Sequence, residues 1–282
     1  MAALILDGRA LSEKVRASVR QRVHQGGVPA RLDALLVGSD RPAEIYAESQ
    51  ARTCAEVGIH YVLHRLPGTA SAKEIGECIQ RLNGQSEVRA IMVHLPLPSG
   101  VDTERLQGMI DPDKDVEGVN PANIGNVVYG RRSLVPCTAL AVVEMIESTG
   151  IDLKGKRCVI VGASNIVGKP VCVLLMREEA TVISTNKYTP DLLALVRTAD
   201  VVVAAAGVPG LVVREWVKPG AIVVDVGINR VRTPEGKSVT VGDVDFAGVQ
   251  QVAGWVSPVP GGVGPMTVAM LLRNVADAAL RQ

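Results

Sequence analysis

The chain has no surplus of charge of either sign: 30 basic residues stand against 29 acidic ones in 282. That balance excludes a broad attraction for nucleic acid or for an anionic membrane, so any anion site must be local. No run approaches the ~20 apolar residues that cross a bilayer, and no opening segment pairs a basic start with a long apolar stretch. The protein is therefore expected to be neither embedded nor secreted. Paired cysteine spacing is also missing. The five cysteines, Cys54, Cys78, Cys137, Cys158 and Cys172, are odd in number and sit mostly in apolar contexts, which predicts buried, reduced thiols and a cytoplasmic location. His24, His60 and His64 lack ligand spacing, so no metal site is expected.

What is present suits a globular protein with a sizeable core, 47% hydrophobic and 21% charged, built as one large or two ordinary domains. Residues 9–24, "RALSEKVRASVRQRVH", place Leu11, Val15, Val19 and Val23 at helical spacing, and "RLDALLVG" (31–38) is a buried strand closed by a glycine. "IYAESQARTCAEVGI" (45–59) reads as a helix ending at Gly58, with Tyr46 and Gln50 on one face. A strand over 60–67, a helix over 71–83 and a strand over 89–98 follow, giving an α/β layer with parallel pairing.

After a Pro/Gly-rich middle (111–126), the segments "GKRCVIVGASNIVGKPVCVLLM" (155–176), "TVISTN" (181–186), "ADVVVAAAG" (199–207) and "GAIVVDVGIN" (220–229) are four strand candidates separated by helix-length stretches, the pattern of a doubly wound nucleotide-binding domain. The turn "GASNIVGKP" (162–170) brings backbone close to a ligand phosphate and aims a helix N-terminus at it, although Ser164 takes the place of the middle glycine of G-x-G-x-x-G. The next strand ends in "STNKYT", where Ser184 and Lys187 suit a ribose 2′-phosphate better than a 2′-hydroxyl, so NADP is expected over NAD.

"GASNIVGKP", "DVGIN" (225–229), "DPDKDVEG" (111–118), "HLPLP" (94–98) and above all "PVPGGVGPMTVAML" (258–271) resemble the methylenetetrahydrofolate dehydrogenase/cyclohydrolase family. The resemblance implies an α/β catalytic domain over 1–138 completed by a C-terminal helix at 262–282, a Rossmann-type NADP domain over 139–261, a cleft between them, and a homodimer. It implies oxidation of 5,10-methylenetetrahydrofolate to the methenyl cation with NADP, then hydrolysis of that cation to 10-formyltetrahydrofolate. The implied cofactor set is Gly162, Ala163, Ser164, Ile166, Val167, Gly168, Ser184, Lys187, Ala205, Gly207 and Ile228. The implied folate contacts are Tyr46, Glu117, Pro260, Gly261, Gly262 and Pro265.

Three positions depart from the family pattern. Gln50 stands where the family has its catalytic lysine, His94 where a glutamine precedes L-P-L-P, and Glu117 where an aspartate anchors the pterin; "PCTA" (136–139) is a milder change. Glutamine keeps a donor and an acceptor but cannot exchange protons, so hydrolysis should suffer before oxidation. Glu117 keeps a carboxylate with one more methylene. His94 is readable as a replacement base or as a hydrogen-bond partner for its neighbours. Asp113, Lys114 and Asp115 are readable as a charged turn, with Asp115 orienting the Glu117 loop. Two other readings stay open at this level: a non-catalytic folate or nucleotide binder, and an enzyme for a different one-carbon carrier.

Overall fold

The computed structural model describes residues 2–27, 29–131, 134–233 and 236–281. It divides into two compact units, Glu13–Cys137 with Val268–Gln282, and Met1–Ser12 with Thr138–Thr267. Residues 1–12 thus group with the later part of the chain rather than with the 1–138 span. No helix among the described residues is long and apolar enough to cross a membrane.

The unit containing Glu13–Cys137 is built on a three-stranded parallel sheet, ordered His60–Leu66, Arg31–Val37, Ala90–Val93. Its central strand is buried from Leu32 to Val37, as a strand covered on both faces must be. The strand expected over 89–98 stops at Val93: prolines at 96 and 98 cannot donate to a ladder, and the Leu95–Pro96 peptide is cis. Helix Ala72–Asn83 opens with a Ser71/Glu74 capping box and packs Ile75, Cys78, Ile79 and Leu82 on Leu35, Val37 and Ile91. Helix Arg41–Glu56 is capped by Asp40, which accepts from the Ala43 N–H at 3.0 Å. It buries Ala43, Ala47, Gln50 and Cys54, a stripe at helical spacing in which an amide takes an apolar position.

The 113–115 segment corrects the reading of a charged surface turn. Asp113 is exposed, but Lys114 is buried, and its Nζ donates to the carbonyls of Asn83 at 2.7 Å and Gln85 at 2.8 Å. Asp115 is fully buried and accepts from the Asn120 N–H at 2.7 Å and from Asn123 Nδ2 at 3.0 Å. Charge alone suggested solvent; the free ends of helix Ala72–Asn83 and of the following loop supply the acceptors that draw Lys114 inward. The last turns of helix Val263–Arg281 belong to this unit, where Asn274 Nδ2 donates to Val116 O at 2.8 Å and Val135 O at 2.9 Å.

The other unit holds a six-stranded parallel sheet in the order Leu4–Ile5, Trp255–Val256, Ile222–Asp225, Val201–Ala204, Arg157–Val161, Thr181–Thr185. From Arg157–Val161 the chain goes to one side for Thr181–Thr185, then to the other for Val201–Ala204 and Ile222–Asp225. The switch point of a doubly wound sheet therefore lies at the carboxyl end of Arg157–Val161. The valine-rich strands fill the core, with Val159, Val202, Val223 and Val256 all buried. A small antiparallel hairpin, Asn229–Arg232 with Ser238–Val241, is added after the sheet strand Ile222–Asp225.

Candidate active site

In the first unit, Tyr46 and Gln50 lie one turn apart with opposite exposures: Tyr46 is 44% exposed and Gln50 only 2%. Both the amide oxygen and the amide nitrogen of Gln50 are buried without a hydrogen-bond partner among the described residues. A buried polar atom left unsatisfied costs about 1–3 kcal/mol, which marks this carboxamide as a donor and acceptor suited to a bound molecule rather than to the core.

His94 follows strand Ala90–Val93 and stays in register with the sheet, its N–H donating to Leu35 O at 2.8 Å. Its ring meets Tyr46 edge to face, with centroids 5.7 Å apart at 80°. Its Nε2 shares a 2.9 Å hydrogen bond with the Tyr61 hydroxyl. Burial pushes the imidazole down to about 4 and holds the Tyr61 hydroxyl well above its ordinary range, so both are neutral at pH 7. Glu117 is half-buried and accepts a long 3.5 Å bond from the Val93 N–H. Burial first, and the Asp115 charge second, push its carboxyl up to about 7. The same surroundings, desolvation and then the Glu117 charge, lift the Tyr46 hydroxyl to about 12. Gln50, His94 and Glu117 therefore supply no fixed cation: one cannot ionise, one stays neutral, and one sits near its midpoint at pH 7.

The structure brings Tyr46, His94 and Glu117 into one neighbourhood, with Gln50 one turn along from Tyr46. It adds two residues that sequence reasoning missed. Tyr61 holds His94, and the chain's possession of only four tyrosines was a signal that could have drawn attention to it. Cys137 donates from Sγ to Val116 O at 3.2 Å, and its thiol is pushed well above its usual range by burial and then by Glu117.

In the other unit the expected cofactor residues gather at the carboxyl ends of the sheet strands. Gly162 has φ +114, and a Cβ there would overlap the Ala205 carbonyl oxygen. A Cβ at Gly168 would overlap the Gly162 carbonyl. The turn is thus closed to any side chain at those two places, as close backbone approach to a phosphate requires. Helix Gly168–Arg177 starts behind it with no side-chain cap at Val167, although Ser164 Oγ accepts weakly from the Gly168 N–H at 3.4 Å. Its N-terminus fits a dinucleotide pyrophosphate. Ser184, within strand Thr181–Thr185, and Lys187, two residues beyond its end, are exposed, and Lys187 Nζ stands 4.9 Å from the Tyr188 ring centroid. Ile166 and Ile228 are 53% and 72% exposed, apolar surface at the rim of this crevice. Pro260, Gly261, Gly262 and Pro265 belong to this unit too, in the loop after Trp255–Val256 and the first turn of the last helix, with Val259–Pro260 cis.

A parallel sheet with its switch point behind a turn that admits no side chain at Gly162 or Gly168, joined in one chain to a second α/β unit, defines a dinucleotide-binding α/β protein. The chain belongs to the tetrahydrofolate dehydrogenase/cyclohydrolase family: residues 6–117 match its catalytic domain and residues 136–282 its NAD(P)-binding domain. It is 45% identical over 284 residues to the bifunctional protein FolD of Moorella thermoacetica, covering 100% of both chains. The bifunctional FolD methylenetetrahydrofolate dehydrogenase/cyclohydrolase of Campylobacter jejuni superposes with a TM-score of 0.93 at 39% identity, covering 99% of each chain. The FolD enzyme of Trypanosoma brucei, solved with NADP and an inhibitor, has a TM-score of 0.91 at 35% identity, covering 100% of this chain and 98% of that one. The family and the α/β fold implied by the sequence motifs both hold.

Proposed function

We propose that this chain oxidises 5,10-methylenetetrahydrofolate to 5,10-methenyltetrahydrofolate with NADP, as a cytoplasmic homodimer, and that it hydrolyses the methenyl cation to 10-formyltetrahydrofolate slowly. The observation that carries this reading is the Gln50 carboxamide, buried with no hydrogen-bond partner for either polar atom among the described residues. NADP, when bound, accepts the hydride. Oxidation asks the protein for positioning and needs no obligatory base. Tyr46 offers a half-exposed ring for a flat substrate, and Gln50 supplies one N–H donor and one carbonyl acceptor. With no ammonium at position 50, nothing there repels the positive charge of the methenyl product.

Hydrolysis asks for more, since water must lose a proton and a ring nitrogen must gain one. Gln50 can do neither. His94, held neutral down to about pH 4 with Nε2 engaged by Tyr61, is suited to positioning and is a weak base. Glu117, when ionised, can accept from the amino and ring N–H groups of a pterin. Residues Gly162–Gly168, with Ser184 and Lys187 beyond, are the NADP site of this proposal, and the free, buried cysteines support the cytoplasmic assignment.

The test follows formation and decay of the methenyl product separately with purified protein, methylenetetrahydrofolate and NADP. Methenyl product should accumulate and decay little faster than in buffer, and Gln50→Lys should speed its hydrolysis at least about tenfold, a floor set below the ~10²–10⁴-fold that a positioned general acid–base group supplies. Rapid hydrolysis that ignores residue 50 overturns the claim about hydrolysis. Ligand binding without any turnover overturns the whole reading in favour of a binder.

A further inference from the structure

The loops after Val201–Ala204 and Ile222–Asp225 carry Ala205, Gly207 and Ile228, yet none of these three side chains can hold a loop in place: two are a methyl or a hydrogen, and Ile228 is 72% exposed. The groups that do hold them converge on two buried carboxylates. Asp243, fully buried, accepts at Oδ2 from the Ala206 N–H at 2.6 Å and the Gly207 N–H at 2.8 Å. Its Oδ1 accepts from Asn229 Nδ2 at 2.8 Å. Asp225 accepts at Oδ1 from the Gly227 and Asp243 N–H groups, both at 2.9 Å, and at Oδ2 from Val244 at 3.0 Å. The backbone around Asp243 is pinned in turn, because Val212 N–H donates to Asp243 O and Asp245 N–H to Val212 O, each at 2.9 Å.

We propose that Asp243 is a positioning residue of the cofactor site, clasping the 205–207 and 226–229 loops so that both face the dinucleotide in one arrangement. The inference rests on reading those loops as part of the NADP site. The geometry gives it a specific content. The Ala206 and Gly207 N–H groups point at Asp243 and are not available to a ligand, so this loop meets the dinucleotide through its carbonyls and through exposed Val208. The Ala205 carbonyl sits against Gly162, so a shift of the clasped loop moves the wall of the glycine turn itself. Phosphate donors must then come from the 162–168 turn and its helix.

The test exploits the direction of the Asn229 bond. Asn229→Asp sets a carboxylate against the Asp243 carboxylate, acceptor against acceptor, and turning either group does not relieve it. Adding Asp243→Asn restores a donor opposite that acceptor and keeps one oxygen for the two backbone N–H groups. Full-length protein is titrated with NADPH, read by nicotinamide fluorescence, with melting temperature measured alongside. Wild type binds; Asn229→Asp should weaken binding about tenfold, with KM for NADP rising more than kcat falls, and the double variant should recover to within about threefold, as one regained buried hydrogen bond allows. Unchanged NADPH binding in a folded Asn229→Asp, or weakening that persists in a folded double variant, overturns the proposal. Should those variants not fold, Asn229→Ala decides it: binding at least about threefold weaker supports the clasp, and unchanged binding overturns it. Failure of wild type to bind NADPH refutes the site reading and is thereby distinguished from failure of the clasp.

Discussion

The carboxyl of Glu117 sits where small changes of environment have the largest effect, because its pKa of about 7 lies well above the ordinary ~4.3 of a glutamate. The native chain therefore keeps a proton that the unfolded chain has already lost anywhere between those two values. Stability falls as pH rises through that window and levels off above about 7. Glu117→Gln should remove its share of that slope in urea unfolding at pH 5 and pH 8, leaving the shares of Asp115 and Asp225, whose carboxyls burial also pushes up. In catalysis the sign reverses: the ionised form accepts from a pterin, so KM for the folate substrate should fall as pH rises through 7 in wild type and stay flat in Glu117→Gln. A wild-type KM that is itself flat across that range contradicts the assignment of Glu117 to substrate binding. Gln50 differs in kind. Its chemistry was readable from the sequence because an amide cannot titrate anywhere, whereas the neutrality of His94 was not, since it comes from burial.

Among the elements, the glycine turn after Arg157–Val161 is the most exposed to a single methyl. Gly162→Ala must accommodate φ +114 and displace the Ala205 carbonyl, a strain of about 1–3 kcal/mol before any repacking. NADPH binding should weaken about tenfold or more, at roughly 1.4 kcal/mol per tenfold, and a titration that matches wild type would remove this turn from the cofactor site. Elements of this kind were legible: helices Gly8–Gln25 and Ala72–Asn83 announce themselves by apolar spacing, and the buried strands by continuous valine and isoleucine. The illegible ones were short or exposed. Trp255–Val256 is two residues long, and Asn229–Arg232 with Ser238–Val241 alternates too weakly to stand out. Lys114 and Asp243 escaped for another reason: apart from the Asn229 amide on Asp243, their partners are backbone groups, which carry no sequence signature at all.

In the molecule as a whole, neither unit is a continuous stretch of chain. Leu4 and Ile5 pair with Trp255 and Val256, and Asn274 ties Val116 and Val135 to the last helix. A fragment ending at Cys137 would leave a strand without its sheet and buried carbonyls without their donor, so it should melt without cooperativity and be cut quickly by protease. A sharp two-state transition from that fragment would show that the long-range ties are dispensable. The five thiols add a consequence of their own. All are free and buried, with Cys54, Cys78 and Cys137 in one unit and Cys158 and Cys172 in the other, and burial lifts Cys54 and Cys158 to about 12. Alkylating reagents attack the thiolate, so the folded protein is nearly inert to them, and each modification times an opening event. The chain thus carries a built-in clock for breathing motions in each unit, distinguishable by mass without adding any label.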